Sequence, residues 1–140
     1  MRLVLDTDVI VAAMRSPSGA SAALLDAAAS GRVTLLANVA LILEYEAVCK
    51  RAEHVAASGL AMSETELFVD AVTALATPVE SHFVWRPLLR DPADEMVLEA
   101  AVNGRADAIV TFNLRDYASA PERFGVRLFL PRDAYKRIPS

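Results

Sequence analysis

Short apolar runs that alternate with longer helical stretches constrain the fold of this chain more than any other feature. The runs are too short for helices, and they occupy residues 3–5, 33–36, 108–110 and 126–130, with a further candidate at Val79. Buried parallel strands are continuous apolar runs of this kind, whereas half-exposed strands alternate apolar and polar residues. The pattern predicts an α/β fold with a mostly parallel sheet of four or five strands, helices on both faces and right-handed crossovers.

Helices are predicted between these runs from apolar periodicity and from start and stop residues. Gly31 suits the position that follows a helix end, and Asp91 with Pro92 suits a helix start. Ser63 with Glu66 resembles a capping box. The turn-rich segments at residues 15–19 and 56–59 do not look like domain boundaries, so residues 1–140 are expected to form a single domain. The predicted helices cover residues 21–30, 39–52, 63–76 and 91–104 and a short segment after Pro131.

Composition excludes several classes of protein. The chain has 140 residues, of which 54% are apolar, which is enough for a sizeable core, and a net charge of −4, which argues against a broad basic surface for nucleic acid. One cysteine and two histidines exclude a disulfide framework and make a metal site built from these residues improbable. No apolar run reaches about 18 residues and the start lacks a leader pattern, so we expect a soluble, cytoplasmic protein.

Acidic and polar side chains follow the predicted strands, where the carboxyl ends of parallel strands meet at one edge of the sheet. Ligands of open parallel sheets bind at this edge. The acids therefore converge on one edge from four separate segments of the chain. The residues are Asp6 and Asp8 after the first strand, Asn38 with Glu44 and Glu46 after the second, Asp91, Asp94 and Glu95 at a helix start, and Thr111, Asn113 and Asp116 after the strand at 108–110.

Helical spacing separates inward from outward acids. Asp94 shares its face with Val97, Leu98 and Ala101, so it is expected to point toward the core. The next stripe, which Glu95 forms with Glu99 and Asn103, is expected to be solvated. Glu44 and Glu46 cannot share a face, and the spacing weakly favours Glu44 as the inward one.

Each acid also has a purely structural interpretation. Asp6 and Asp8 follow a strand and precede a helical pattern, and either of them could serve only as a helix N-cap. Asp91 is expected to be an N-cap whatever else it does, and Asp116 could be a turn residue. Several carboxylates in a dry cleft would nevertheless repel one another, and a hard divalent cation such as Mg²⁺ removes that conflict. With no histidine or cysteine pairing visible, metal-assisted phosphoryl chemistry is the natural hypothesis.

Four segments, in order along the chain, resemble the motifs of PIN-domain ribonucleases. The first runs from Leu3 to Ala13 and contains Asp6, and the second contains Glu44 followed by a tyrosine. The third is Asp91-Pro92-Ala93-Asp94-Glu95, and the fourth runs from Ile109 to Tyr117. The resemblance implies a PIN-like three-layer α/β/α sandwich and, most similar within the family, a VapC-like toxin of a bacterial toxin-antitoxin pair.

The resemblance also implies function and site residues. It implies an endoribonuclease that depends on Mg²⁺ or Mn²⁺, a cognate antitoxin protein as partner, and a homodimer. By position, Asp6, Glu44 and Asp94 match the acidic triad of the family. Asp116 matches a weaker fourth acid, Asp91 is an additional candidate metal ligand, and Thr111 and Asn113 match supporting polar positions. The chain departs from the pattern at three positions: Asp8 where many members have asparagine, Asn113 where relatives often have aspartate, and Asn38 where serine is usual.

Two other functions fit parts of the same sequence. An apolar strand followed by Asp6-Thr7-Asp8 also resembles the nucleophile motif of haloacid-dehalogenase-like phosphatases, in which the first aspartate attacks phosphate. Such enzymes need a lysine from a later motif, and the only lysines, Lys50 and Lys136, do not follow a strand. The third interpretation is a binding module that keeps the fold without catalysis, against which the intact acidic triad argues.

Overall fold

The central element of the computed structural model is a five-stranded, all-parallel sheet with the strand order β3-β2-β1-β4-β5. The structure describes residues 1–80, 89 and 91–139. This topology confirms the predicted α/β class and the three-layer α/β/α sandwich. The strands are β1 (Arg2–Leu5), β2 (Thr34–Ala37), β3 (Ala76–Pro78), β4 (Ala108–Val110) and β5 (Arg127–Phe129).

Eight α-helices flank the sheet within the described residues. None of them is both long and apolar enough to cross a membrane. Helix α6 begins where it was predicted, with Asp91 as its N-cap and Pro92 in its first turn, and Gly31 follows α2 with a positive φ of 76°. The helices are α1 (Thr7–Arg15), α2 (Ala20–Ala29), α3 (Val39–Cys49), α4 (Ala52–Ser58), α5 (Met62–Leu75), α6 (Pro92–Asn103), α7 (Leu114–Tyr117) and α8 (Pro131–Lys136).

Strand β1 lies in the middle of the sheet, between β2 and β4. Its residues Leu3, Val4 and Leu5 are almost fully buried because both faces of the strand are covered. The backbone continues into Asp6, whose N–H donates to the carbonyl of Val110 at the end of β4 (2.9 Å). The most deeply buried strand therefore delivers Asp6 to the carboxyl edge of the sheet.

The predicted capping box of α5 was wrong in detail. Helix α5 begins at Met62 with Ala61 as N-cap, and the Glu64 carboxylate accepts the Ala61 N–H at 2.9 Å. The predicted capping box between Ser63 and Glu66 therefore does not form, because Ser63 already lies inside the first turn. Two glutamates, Glu64 and Glu66, each follow a possible N-cap by three residues. The helix begins at the earlier of these pairs, Ala61 with Glu64.

The predicted helix at residues 39–52 is two helices, and the predicted break at residues 56–59 is mostly helical. Helix α3 ends at Cys49, Arg51 is extended, and α4 continues to Ser58 before Gly59 takes a left-handed conformation (φ 74°). Strand β3 ends one residue before Val79, whose N–H still donates to Ala37 (2.9 Å). A proline within β3 is tolerated because β3 is an edge strand.

Asn38 joins two of the helices that carry candidate acids. It is buried, and its side-chain oxygen accepts the Leu41 N–H (2.8 Å), which caps α3. Its side-chain N–H donates to the carbonyl of Met96 in α6 (3.1 Å). Asn38 therefore ties the helix of Glu44 to the helix of Asp94, which a serine at this position is too short to do in the same way.

Replacing Asn38 should measurably destabilise the fold. Asn38→Ala removes the cap and leaves the Met96 carbonyl unpaired, and we expect the free energy of unfolding to fall by about 1–3 kcal/mol in urea denaturation. Asn38→Asp keeps an acceptor for Leu41 and loses the donor to Met96, so its stability should lie between those of the parent and Asn38→Ala. An Asn38→Ala protein within about 0.5 kcal/mol of the parent would contradict this role.

Candidate metal centre

Asp6 is held by three donors from two parts of the chain. One carboxylate oxygen accepts the Thr7 N–H (2.7 Å) at the start of α1. The other accepts the hydroxyl of Thr111 (2.8 Å) and the hydroxyl of Tyr117 (3.0 Å). Asp6 is therefore an N-cap, as the structural interpretation supposed, and is also the centre of a buried network with only 7% of its surface exposed.

The electrostatics of Asp6 oppose its ionisation. Burial raises the pKa of Asp6 above its ordinary value, and the charge of Asp116 raises it further. The three hydrogen bonds act in the opposite direction because they favour the carboxylate form. Asp6 is thus oriented as a carboxylate by its donors, in surroundings that resist its negative charge.

Asp94 is buried in the first turn of α6, as its helical spacing predicts. It is 8% exposed, and burial, followed by the charges of Asp6, Asp91 and Asp116, raises its pKa to about 7. Hydrogen bonding from Tyr117 partly offsets these effects. Asp6 and Asp94 therefore lie close enough to repel each other, and the same tyrosine acts on both.

Asp8 joins α1 to the turn after β4. One of its carboxylate oxygens accepts the Phe112 N–H (3.1 Å) and the Asn113 side-chain N–H (3.0 Å). The other oxygen is buried and has no hydrogen-bond partner. Burial and the charge of Asp6 raise the pKa of Asp8 to about 6. Asp8, Thr111 and Asn113 therefore form one hydrogen-bonded group beside Asp6, and one buried acceptor in it is unsatisfied.

The remaining candidate acids lie at the margin of this group. Asp91 is exposed and accepts the Ala93 N–H (2.9 Å), and Asp116 is exposed near the start of α7. Glu44 is half-buried, whereas Glu46 is exposed and pairs with Lys50 (3.3 Å), which agrees with the preference for Glu44 as the inward residue. Glu44 is not among the charges that raise the pKa values of Asp6 and Asp94.

The prediction of a solvated stripe on α6 was wrong. Glu95 is buried, and its carboxylate accepts the Leu89 N–H. Glu99 is half-buried, and burial with the charge of Glu95 raises its pKa. Both polar atoms of the Asn103 side chain are buried without a hydrogen-bond partner. Periodicity alone could not show this, because the helix is enclosed on the polar side as well as on the apolar side.

Within the described residues, no group of three or more histidine, cysteine, aspartate or glutamate side chains is arranged so that it could hold a metal ion as it stands. Asp6 and Asp94 influence each other electrostatically, and Asp8 lies beside Asp6, but the described residues do not bring Glu44 together with Asp6 and Asp94 in such a group. Mg²⁺ commonly takes only one or two carboxylates and completes its shell with water and substrate phosphate. Asp6 and Asp94, two buried carboxylates that repel each other, are a donor pair that fits such a cation.

Two tyrosines support the site, and the sequence analysis assigned no role to either. Tyr117 is fully buried and donates to Asp6, and burial together with the charges of Asp6 and Asp94 raises its pKa. Tyr45 donates to the carbonyl of Leu5, the residue before Asp6. A signal was present for Tyr45, which shares a helical face with buried Leu41 and Val48. Tyr117 belongs to a four-residue helix that periodicity cannot detect.

The fold and this acidic edge define a class of protein. Residues 2–115 match the family described as PIN domain, and the chain therefore belongs to the PIN-domain family. PIN domains are typically nucleases and generally use divalent metal ions. Comparison with curated proteins returned no match, and neither did comparison with solved structures.

The raised pKa values predict how stability depends on pH in metal-free protein. In the folded protein the pKa of Asp8 is raised to about 6 and that of Asp94 to about 7, against 3.8 for an ordinary aspartate. The folded state thus binds these protons more tightly than the unfolded chain, and their effect is to lower the free energy of unfolding as pH rises from about 4 to about 7.

Urea denaturation in a chelating buffer between pH 4 and pH 8 measures this effect. We expect the free energy of unfolding of Asp94→Asn to fall less steeply with pH than that of the parent. At pH 8 it should exceed the parent's value by on the order of 1–3 kcal/mol. The same difference should be small at pH 4, where position 94 is uncharged in both folded proteins. An Asp94→Asn protein that tracks the parent over the whole range would contradict the raised pKa.

Proposed function

We propose that this protein is an endoribonuclease that depends on Mg²⁺ or Mn²⁺ and cleaves RNA phosphodiester bonds. The observation that carries the proposal is the pair Asp6 and Asp94, two buried carboxylates that repel each other at the carboxyl edge of a parallel sheet. Buried charges of one sign are unfavourable unless a cation compensates them. Membership of a family of nucleases supports the same reaction class.

Asp6, Glu44 and Asp94 are the proposed triad that would hold the metal, with Asp91 and Asp116 as outer ligands. Bound there, a divalent ion would supply an activated water and stabilise charge on the phosphate. The chain's own residues prepare the site. Thr111 and Tyr117 fix one oxygen of Asp6, which leaves the carboxylate little freedom to rotate. The supporting residues Asp8, Thr111 and Asn113 hold the turn after β4 against α1.

The biological setting that we propose is a VapC-like toxin with a cognate antitoxin protein, acting in the cytoplasm as a single domain over residues 1–140. The support is the resemblance of four ordered motifs to such toxins. An adjacent gene for a small antitoxin would distinguish a toxin from a housekeeping nuclease without an assay, and co-purification of the two products would test the pairing directly.

The phosphatase alternative finds no support in the structure. Lys50 pairs with Glu46 (3.3 Å) and lies 3.8 Å from Glu66, and Lys136 ends helix α8. Neither lysine is among the charges or hydrogen bonds that set the pKa of Asp6. If the protein does not cleave RNA in added Mg²⁺ or Mn²⁺, the interpretation that remains is a binding module without catalysis.

Asp6→Asn should abolish RNA cleavage while the fold survives. The amide oxygen can accept the Thr7 N–H, and the amide N–H groups can donate to the hydroxyl oxygens of Thr111 and Tyr117. One negative charge is lost, so cleavage of RNA in added Mg²⁺ or Mn²⁺ should fall by roughly 100-fold or more. Without metal, stability should hold or rise because repulsion with Asp94 is relieved.

The matched control is Asp70→Asn, which removes a charge from an exposed position of α5. It should cleave like the parent. The thermal midpoint of the parent should rise on addition of Mn²⁺, and that of Asp6→Asn should rise much less. Undiminished metal-dependent cleavage by Asp6→Asn would overturn the assignment of Asp6.

A homodimer is proposed for the same protein. Helices α3 and α5 carry large apolar side chains that are exposed, among them Leu43 (59%) and Leu67 (68%), with Val39 and Met62 also exposed. Exposed apolar patches of this kind mark interaction surfaces. A homodimer is also what the resemblance to PIN-domain toxins implies.

Sedimentation velocity at micromolar concentrations tests the dimer. We expect the parent to sediment as a dimer. Leu43→Lys should raise the dissociation constant of the dimer tenfold or more, which corresponds to about 1.4 kcal/mol, so that more of the protein is monomeric. Phe124→Lys changes an exposed aromatic residue outside these helices and should leave the dimer intact. A monomeric parent over this range would exclude the proposal.

A further inference from the structure

A groove of about 490 Å³ lies beside the acidic site. Its walls come from four regions of the chain: one side of α1, the first turn of α2, the turn after β4, and the junction of β5 with α8. Among the residues that the structure describes, no aspartate or glutamate lines it, in contrast to the neighbouring acidic site. Its lining residues include Ala12, Ser16, Gly19, Ser21, Phe112 and Arg132.

Ser21 points to a ligand in this groove. It is the second residue of α2, is only 4% exposed, and lines the groove. Its hydroxyl has no hydrogen-bond partner among the described residues. The residue is largely buried, so a hydroxyl that is open only toward the groove is suited to a polar group supplied from outside.

The same end of α2 is an open site for an anion. Gly19 is the N-cap and provides no side chain to accept the first N–H groups of the ten-residue helix. These N–H groups and the helix dipole favour negative charge at this point. Arg132, exposed at the start of α8, adds a full positive charge to the same groove.

Phe112 connects the groove to the acids. Its ring is half exposed and lines the groove, and its backbone N–H donates to Asp8 (3.1 Å). Along α1, Asp8, Ala12 and Ser16 follow one another at intervals of four residues, so they share one face over about 12 Å. The groove therefore continues from the acidic site and ends at the start of α2.

We infer that this groove binds a nucleotide of single-stranded RNA next to the one cleaved. The inference rests on the proposed ribonuclease function. The phosphate would accept hydrogen bonds from Ser21 and the first turn of α2 with Arg132 nearby, and a base would stack on Phe112. Base stacking on an exposed aromatic ring requires an unpaired strand. A chain with a net charge of −4 needs such a local positive site to hold a polyanion.

Binding is measured on the Asp6→Asn protein, so that cleavage does not interfere, with a fluorescent single-stranded RNA oligonucleotide and anisotropy as the readout. Ser21→Asp places a negative charge where the phosphate would lie and suits a helix N-terminus, so the fold should survive. Phe112→Leu removes the aromatic face and keeps apolar volume. We expect the dissociation constant to rise roughly tenfold for each variant. Arg132→Gln should weaken binding and reduce the salt slope by about 0.7.

Matched controls separate these effects from changes in overall charge. Ser30→Asp adds the same charge at the opposite end of α2, and Arg51→Gln removes an arginine that lines none of the described cavities. Both should stay within about twofold of the background protein in affinity. A double-stranded RNA of the same length should bind more weakly than the single strand.

A second measurement does not depend on the variants. In the Asp6→Asn protein, the backbone amide resonances of Ser21 and Ala22 should shift when the oligonucleotide is added. Unchanged resonances, or groove variants whose affinity equals that of the controls, would overturn the inference. If the parent fails to cleave RNA while the groove still binds the oligonucleotide, the ribonuclease proposal fails and the nucleotide site stands.

Discussion

The burial of Asp6 at the end of the central strand is the constraint on which the rest of the site depends. A carboxylate there is unfavourable unless donors hold it, and the chain supplies Thr111 and Tyr117 from residues that follow β4. These contacts require β4 to lie beside β1, as the register of Val4 with Ile109 shows. The pairing of β1 with β4 therefore determines both the order of the strands and the hydrogen bonds that hold Asp6 at the edge of the sheet.

Much of the fold could be predicted from sequence because parallel strands in the interior are continuous apolar runs. The predicted strands at residues 3–5 and 108–110 fall within one residue of β1 and β4, which have both faces covered. The shift was larger at β3, a three-residue edge strand that contains Pro78 and has a weak apolar signal. The exact ends of the helices depend on local capping. At α5 the glutamate that contacts the N-cap backbone was predicted two residues too late, at Ser63 and Glu66 instead of Ala61 and Glu64.

The candidate site was less predictable. Helical spacing shows which residues share a face of a helix, but it does not show whether other parts of the protein cover that face. The spacing of Asp94 with Val97 and Leu98 correctly predicted an inward carboxylate. The same reasoning failed for Glu95, which is buried although its stripe is polar. Tyr117 could not be found by pattern at all, since its partner Asp6 is 111 residues away in sequence. Long-range partners of this kind follow from the topology of the sheet.

The separation of Asp6 from its donors has a consequence for how the protein is made. Thr111 and Tyr117 lie 105 and 111 residues after Asp6, and β4, which flanks the central strand, immediately precedes them. While the chain is being synthesised, Asp6 has left the ribosome long before these partners exist. A product terminated before residue 111 lacks both hydroxyls and retains only the Thr7 N–H as a donor to Asp6. The complete acidic edge can therefore form only late in translation, after the segment that follows β4 has been synthesised.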